Sequence, residues 1–337
     1  MKFSWKQFDL KLKHTFRISR GARDIAPVVI LEFEHDGITG YGEASPSKRY
    51  NETPETVVAF FKRINLSRFE TPFLLDEILS YVDSIEIGNT SAKCAVDIAL
   101  HDWIGKKLDV PLYQLWGLNP KKTAKCSFTI AIDSKEVIEQ KVREAEEFPI
   151  LKIKLGLDND KEMIDTIRKI TDKVLYVDAN EGWKDKNLAL ERIKWLKDQN
   201  VEFVEQPMPA EQFDDLKWLR EKSDLPLIAD ESVIRLSEIP KLAQAFDGIN
   251  IKLMKCTGLR EAMRMIHTAQ ALNMKIMMGC MIETAVGISA GAHLSPLLDY
   301  ADLDGNVLIT NDPFDGVQNV RGKMVLSNKA GIGATPR

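Results

Sequence analysis

Three carboxylates and three lysines recur at the ends of short apolar runs in this chain. Lys152 and Lys154 lie in Leu151-Lys152-Ile153-Lys154-Leu155, an alternating stretch that reads as a β-strand with both ammonium groups on one face. Downstream, at intervals of roughly two dozen residues, come Val177-Asp178, Val204-Glu205, Ile228-Ala229-Asp230 and Ile249-Asn250-Ile251-Lys252. A lone Lys-x-Lys is most often a solvated edge strand. The charged strand ends that follow point elsewhere, because their spacing is that of successive strand–helix units in a βα barrel, whose catalytic rim lies where the strands end. Three crowded carboxylates repel one another, and each takes up a proton unless a cation sits among them. Hard oxygen donors with positions left for water or substrate suit Mg²⁺, so Asp178, Glu205 and Asp230 are the candidate ligands.

The elements that must position these groups can be counted along the chain. Residues 1–45 read as an antiparallel meander with a hairpin turn at Asp36-Gly37. A basic loop with His14, Arg17, Arg20 and Arg23 is expected between the first strands. Helices are expected at about 53–64, 74–83 and 90–108, the last with Ala92, Ala95, Val96 and Ala99 on one apolar face. From Lys125 the pattern changes to strand–helix alternation. Cys126–Ala131 is the first strand, and those ending in Lys154, Asp178, Glu205, Asp230 and Lys252 are the second to sixth. Met274–Met278 is the seventh and Leu298–Asp302 the eighth. The expected domains are a cap over 1–118, a barrel over 119–311, and a segment from 312 to 337 that returns to the cap. With eight strands in a ring, the second and sixth are opposite, so Lys154 and Lys252 face each other across the mouth.

With 44% hydrophobic and 28% charged residues among 337, this is an ordinary globular composition. A formal charge of −4 gives no general attraction to nucleic acid or to an anionic membrane. No apolar run approaches membrane-spanning length, and the first residues lack a signal-peptide core. Cys94, Cys126, Cys256 and Cys280 show no Cys-x-x-Cys pairing, and reduced thiols in a cytoplasmic protein are expected. His101, inside an apolar helix, reads as a packed structural residue. Glu231 follows a candidate ligand and by alternation points away from the ion.

Lys152-Ile-Lys154, Asp178-Ala-Asn180, Glu205-Gln-Pro207, Asp230-Glu-Ser232 and Asn250-Ile-Lys252 together resemble the enolase superfamily, and more narrowly its muconate-lactonizing subgroup. Gly40-Tyr41-Gly42-Glu43-Ala44 and Pro111–Gly117 resemble that family's capping domain and its junction with the barrel. The resemblance implies an α/β fold, a modified (β/α)₇β barrel under an α+β cap. Asp302-Leu303-Asp304 is similar to the Asp-x-Asp with which dipeptide epimerases bind a substrate's α-ammonium group. The implied activity is Mg²⁺-assisted epimerisation of L-Ala-D/L-Glu or a related dipeptide, as in murein peptide recycling. Thr129 matches a position near the substrate. In the relatives an arginine of the first cap loop pairs with the glutamate side chain; the ungapped alignment puts that position on Gly21, between Arg20 and Arg23.

The chemistry suits these residue types. Removing a proton next to a carboxylate adds a second negative charge to that group, which a divalent ion offsets. Lysine acts as a base when burial and a nearby positive field lower its pKa, and Lys152 supplies such a field. Lys154 and Lys252, on opposite faces of one carbon, can remove a proton from one side and return it to the other. A Schiff-base aldolase needs only one lysine and no metal, leaving the three carboxylates unexplained. A muconate cycloisomerase or o-succinylbenzoate synthase would leave Asp302 and Asp304 without an ammonium partner, and a non-catalytic barrel would leave every site residue idle. The small-molecule partner expected is a dipeptide; assembly into a homo-oligomer stays open.

Overall fold

The computed structural model describes residues 1–337. The cap opens with β1 (Lys2–Ile18), β2 (Gly21–His35) and β3 (Ile38–Ala44) in one antiparallel sheet. Asp36 (φ 51°) and Gly37 (φ 71°) turn β2 into β3, both left-handed, as the twist of a two-residue hairpin requires. The first strand is longer than its apolar pattern suggests. It pairs with β2 almost end to end, interrupted by a register shift between Lys11 and Phe16. That irregularity takes up the charged Lys13-His14 without ending the pairing.

Helices α1 (Pro54–Phe61), α2 (Leu75–Ser84) and α3 (Thr90–Lys107) follow. The sequence shows one apolar face on α3, yet every residue from Thr90 to Gly105 is buried. The helix is sandwiched. Ala92, Ala95, Val96 and Ala99 join the cap core, while Cys94 and Ile98 join the barrel core. Gly40 and Gly42 let β3 lie directly on α3: a side-chain carbon at Gly42 would fall 1.8 Å from the Ala95 carbonyl oxygen.

Eight parallel strands form the barrel in consecutive order: β4 (Phe128–Ile130), β5 (Ile150–Lys154), β6 (Val174–Asp178), β7 (Val201–Glu205), β8 (Leu227–Ala229), β9 (Gly248–Lys252), β10 (Lys275–Gly279) and β11 (Tyr300–Asp302). The ring closes through single contacts, a Cys126–Ala301 bridge and a hydrogen bond from the Ser127 amide to the Ala301 carbonyl at 3.0 Å. Inward residues stack in layers. Tyr176, Phe203 and Tyr300 pack ring on ring with Ile150, Ile228 and Met277 to form a dry floor. Two residues further along, Lys152, Asp178, Glu205, Asp230 and Asp302 turn charged side chains inward, while β10 has Gly279 at that position. From Phe314 the chain pairs Phe314–Asp315 with Thr335–Pro336 around a short hairpin of Gln318–Val320 and Lys323–Val325, and its Gly331 pairs with Pro111 at the end of the cap. No helix is long and apolar enough to cross a membrane.

Gly42→Ala should destabilise the protein by about 1–3 kcal/mol, since it overpacks against backbone that cannot yield. Urea midpoints of the variant and the parent check this; equal midpoints would show that β3 and α3 can separate without cost.

Candidate active site

The charged layer above the floor is set by parallel register. Lys154, Asp178 and Glu205 are level on β5, β6 and β7. Glu205 pairs with Ile228 on β8, and two residues further the chain offers Asp230, so that carboxylate oxygens of Asp178, Glu205 and Asp230 all lie within 4.8 Å of one another. All three residues are buried. The loops after these strands leave ordinary backbone space: Asn180 (φ 44°), Glu181 (φ 64°) and Gln206 (φ 34°) are left-handed. Such strain persists only where surrounding contacts fix it, and here they do. The Gln206 side-chain carbonyl accepts the amides of Asp230 and Ser232 at 3.0 and 3.1 Å, which ties the loop after β8 to that after β7.

Lys152 has no solvent exposure, and its Nζ lies 2.7 Å from Glu205 Oε2, 2.8 Å from Asp302 Oδ2 and 3.3 Å from Asp178 Oδ2. It sits among the carboxylates and does not line the open cavity. Lys154 and Lys252 do line it, from strands β5 and β9, four places apart in the ring of eight. Lys154 Nζ donates to Asp178 Oδ2 at 2.6 Å and Lys252 Nζ to Asp230 Oδ2 at 2.8 Å. Burial works against charge on Asp178, but Lys154 and Lys152 outweigh it and hold the carboxyl at about 2. Glu205 is pushed up to about 8 by burial and then by Asp178. Burial also disfavours the Lys252 ammonium, yet Asp230 overcomes this and its pKa is raised.

The residues fit a hard divalent cation. They offer three convergent buried carboxylates, and Glu205 Oε2 accepts no well-aligned hydrogen bond although Lys152 is close. Asn250 Nδ2 donates to Glu205 Oε1 at 2.7 Å and the Asn180 amide to Asp178 Oδ1 at 2.9 Å, so each ligand's other oxygen is fixed. For Asp230 the same task falls to a residue that the strand pattern did not single out. Lys255, 1% exposed, places Nζ 2.5 Å from Asp230 Oδ1 and 2.6 Å from its carbonyl oxygen. Its only signal in the sequence is a lysine inside an otherwise apolar run, three residues beyond Lys252.

A cavity of about 790 Å³ separates this layer from the cap. At its far side Asp302 and Asp304 differ in their partners. Asp302 is held by Lys152 and by the Ser127 hydroxyl at 2.7 Å. Asp304, 2% exposed, accepts the Thr129 amide at 2.7 Å and makes no ion pair. Burial, then the neighbouring Asp302, pushes its carboxyl up to about 7. The two cap arginines also part ways. Arg20 Nη2 is 2.6 Å from Glu231 Oε1, and its Nη1 donates to the Asn180 carbonyl at 2.8 Å and to Glu181 at 3.1 Å. Arg49 reaches the same Glu181 at 3.0 Å. Arg23 lines the cavity with no ion pair or side-chain hydrogen bond, and burial lowers its pKa. Tyr50, from the short helix Lys48–Tyr50, also lines the cavity; nothing in its sequence context marked it. Glu231 serves Arg20 and Asn180 and stands outside the carboxylate triad, while His101 pairs with Asp97 at 3.1 Å within α3.

Glu205→Gln and Lys255→Met should each weaken Mg²⁺ binding, measured by calorimetry, by about 10–100-fold, the first by removing a ligand and the second by releasing Asp230. Unchanged affinity in both would remove the cation from this position.

Two family descriptions match the chain: a mandelate racemase/muconate lactonizing enzyme N-terminal domain over residues 6–117, and an enolase C-terminal domain-like region over 136–337. The L-Ala-D/L-Glu epimerase of Bacteroides thetaiotaomicron is 53% identical over 334 residues, 99% of this chain and 87% of that protein. Among solved structures, a dipeptide epimerase from Enterococcus faecalis, complexed with Mg and L-Leu-L-Tyr, superposes with a TM-score of 0.93 at 32% identity, covering 99% of each chain. The L-Ala-D/L-Glu epimerase of Bacillus subtilis, in a substrate-liganded complex, gives 0.92 at 28% identity over 100% of this chain and 98% of that one. Cap and barrel thus match one family in the order this fold displays them, and the chain belongs to the mandelate racemase/muconate lactonizing group of the enolase superfamily.

Proposed function

We propose that the protein is a Mg²⁺-dependent dipeptide epimerase that inverts the Cα of the C-terminal residue, with L-Ala-D/L-Glu as its substrate. The observation that carries this reading is a pair of lysines on opposite sides of one cavity, with an unpaired buried carboxylate, Asp304, at its end. Two of the relatives named above are L-Ala-D/L-Glu epimerases and the third is a dipeptide epimerase complexed with L-Leu-L-Tyr, which supports a dipeptide substrate here. Such dipeptides are of the kind that murein breakdown releases.

In this reading Asp178, Glu205 and Asp230 hold the ion. A divalent cation held there would offset the charge that develops on the substrate carboxylate, and Lys154 and Lys252, now on Asp178 Oδ2 and Asp230 Oδ2, would be free to face the substrate. Asp304 takes the substrate's α-ammonium, which supplies the positive charge that this carboxylate lacks. One lysine Nζ then removes the Cα proton and the other returns one from the opposite side, which inverts the centre. Lys152, fixed by three carboxylates, keeps positive charge close to the reacting carboxylate throughout. A substrate without an ammonium group would leave Asp304 buried with no cation, which disfavours cycloisomerase or synthase chemistry at this site.

Glutamate preference is assigned to Arg23. Arg20 is already satisfied by Glu231, Glu181 and a backbone carbonyl, so its part is to fasten the cap loop over the cavity. Arg23 is left with a half-buried guanidinium and no partner, the state in which a carboxylate ligand binds best.

The test of the mechanism is solvent exchange in D₂O with Mg²⁺. Lys154→Ala and Lys252→Ala should each lower epimerisation by at least about 10²-fold, and each should retain Cα exchange from one substrate epimer only. If either variant interconverts both epimers at near the parent rate, two-sided transfer is wrong. For specificity, Arg23→Met should cost about 2–5 kcal/mol in kcat/KM on L-Ala-L-Glu and little on L-Ala-L-Leu, whereas Arg20→Met should affect both dipeptides alike. Equal losses in Arg23→Met on the two substrates would remove the anchor.

A further inference from the structure

Two further buried carboxylates meet at the seam between cap and barrel. Glu43, at the end of β3, has no solvent exposure, and Glu283, in the loop after β10, is 2% exposed. Glu43 Oε1 accepts the Thr284 amide at 2.8 Å, and its Oε2 accepts the Thr284 hydroxyl at 2.6 Å and the Gly287 amide at 2.9 Å. Glu283 accepts only the Met281 amide, on Oε1 at 2.7 Å, and neither acid forms an ion pair. Their Oε2 atoms converge on Gly287, where a side-chain carbon would lie 2.4 Å from that of Glu283 and 3.1 Å from that of Glu43. Only a glycine leaves room there for both carboxyl groups. Two like charges in so dry a place do not both persist. Burial, then Glu43, pushes the Glu283 carboxyl up to about 8, and burial pushes Glu43 up to about 7 against its three donors. Of the other titratable groups that face the pair, Asp312 adds negative charge beside Glu43, and burial keeps the Cys94 thiol of α3 and the Cys280 thiol neutral. Lys252 is the one cation.

Both acids stand behind the active cavity. Ser45, two residues beyond Glu43, donates its hydroxyl to the Ile282 carbonyl at 2.9 Å, and Pro46, Ser47 and Cys280–Ile282 line the cavity. Just before that stretch Gly279 abuts Lys252; a side-chain carbon at Gly279 would fall 3.1 Å from Lys252 Cε. Glu43 already uses both oxygens as acceptors, whereas Glu283 Oε2 accepts nothing, so the proton belongs on Glu283. We propose that Glu283 is a positioning residue that works as a neutral acid, its proton shared with Glu43 across the seam. The shared proton holds the Cys280–Ile282 wall in place beside Lys252; once it is lost, two buried anions push cap and wall apart. The catalytic part of this rests on the dipeptide reading above.

A carboxyl whose folded pKa is raised contributes stability that is whole below about 4.5 and is lost as pH rises through about 8. Glu283→Gln keeps a donor for Glu43 and an acceptor for the Met281 amide, but carries no charge at any pH. Its urea midpoint should therefore rise relative to that of the parent between about pH 5 and pH 9, since Glu205 and Asp304 titrate alike in both proteins. On L-Ala-L-Glu with Mg²⁺ at neutral pH, Glu283→Gln should keep at least about one third of the parent kcat/KM, and Glu283→Met, which has no donor, should lose about tenfold or more. A midpoint difference that does not change with pH, or a Glu283→Gln protein that does not fold, overturns the neutral acid. Equal activity in the Gln and Met variants overturns the positioning role. Should Glu283→Met fail to fold by circular dichroism, the ratio of parent KM to Glu283→Gln KM decides: a rise of about threefold or more between about pH 7 and pH 9 is expected, and a flat ratio overturns the role. If the parent does not epimerise L-Ala-L-Glu, the dipeptide reading falls, while the urea comparison still decides the shared proton.

Discussion

A fully buried ammonium group, that of Lys152, binds the mouth of the barrel together. It touches carboxylates from three other strands, β6, β7 and β11, and so joins parts of the ring that backbone pairing alone does not bring into contact. Taking charges out of water is costly, and such a cluster is tolerated only when every member is paired. Removing one partner of a buried pair costs about 3–5 kcal/mol, because the other is left uncompensated. The aromatic floor of Tyr176, Phe203 and Tyr300 raises the stakes by closing off water from below. Strand register, floor packing and charge pairing are thus one constraint. A slip of one residue on any of these strands would turn its charge out of the barrel and strand the others.

The cap is bound to this layer at several points. Asp97 on α3 accepts the amides of Leu259 and Arg260 at 2.7 and 3.1 Å, so a cap residue caps the barrel helix Leu259–Ala271 that follows the Lys252 strand. Glu43 at the end of β3 accepts two donors from Thr284 and the Gly287 amide, behind the Cys280–Ile282 stretch that lines the cavity. Arg20 and Arg49 bring two separate cap loops to Glu181. The residues that choose a substrate can therefore sit on the cap while the chemistry sits on the barrel, and the two remain in register through buried polar contacts.

Much of this was legible in the sequence. A parallel strand buried on both faces can carry charge only at its end, so the apolar runs ending in Asp178, Glu205, Asp230 and Lys252 announced a barrel and the rim where its charges gather. Alternation alone put Lys152 and Lys154 on one face, and chain order put the three carboxylates side by side. The hairpin at Asp36-Gly37 followed from the φ values that only such residues adopt readily. These are local properties, or properties of order along the chain, and one sequence contains them.

Tertiary structure alone decided the rest. The sequence reads Arg20 and Arg23 as one loop and shows two aspartates in one Asp-x-Asp; it does not show that Arg23 stands on β2, that Glu231 and Glu181 already occupy Arg20, or that Lys152 already occupies Asp302, which leaves Arg23 and Asp304 without an ion pair. Lys255 behind Asp230 and the second burial face of α3 were hidden for the same reason. Periodicity tells which way a side chain points from its own element, but whether a charge is spent or free depends on what a distant stretch of chain delivers within about 3 Å of it. That distance is set by packing between elements, for which a linear pattern has no term.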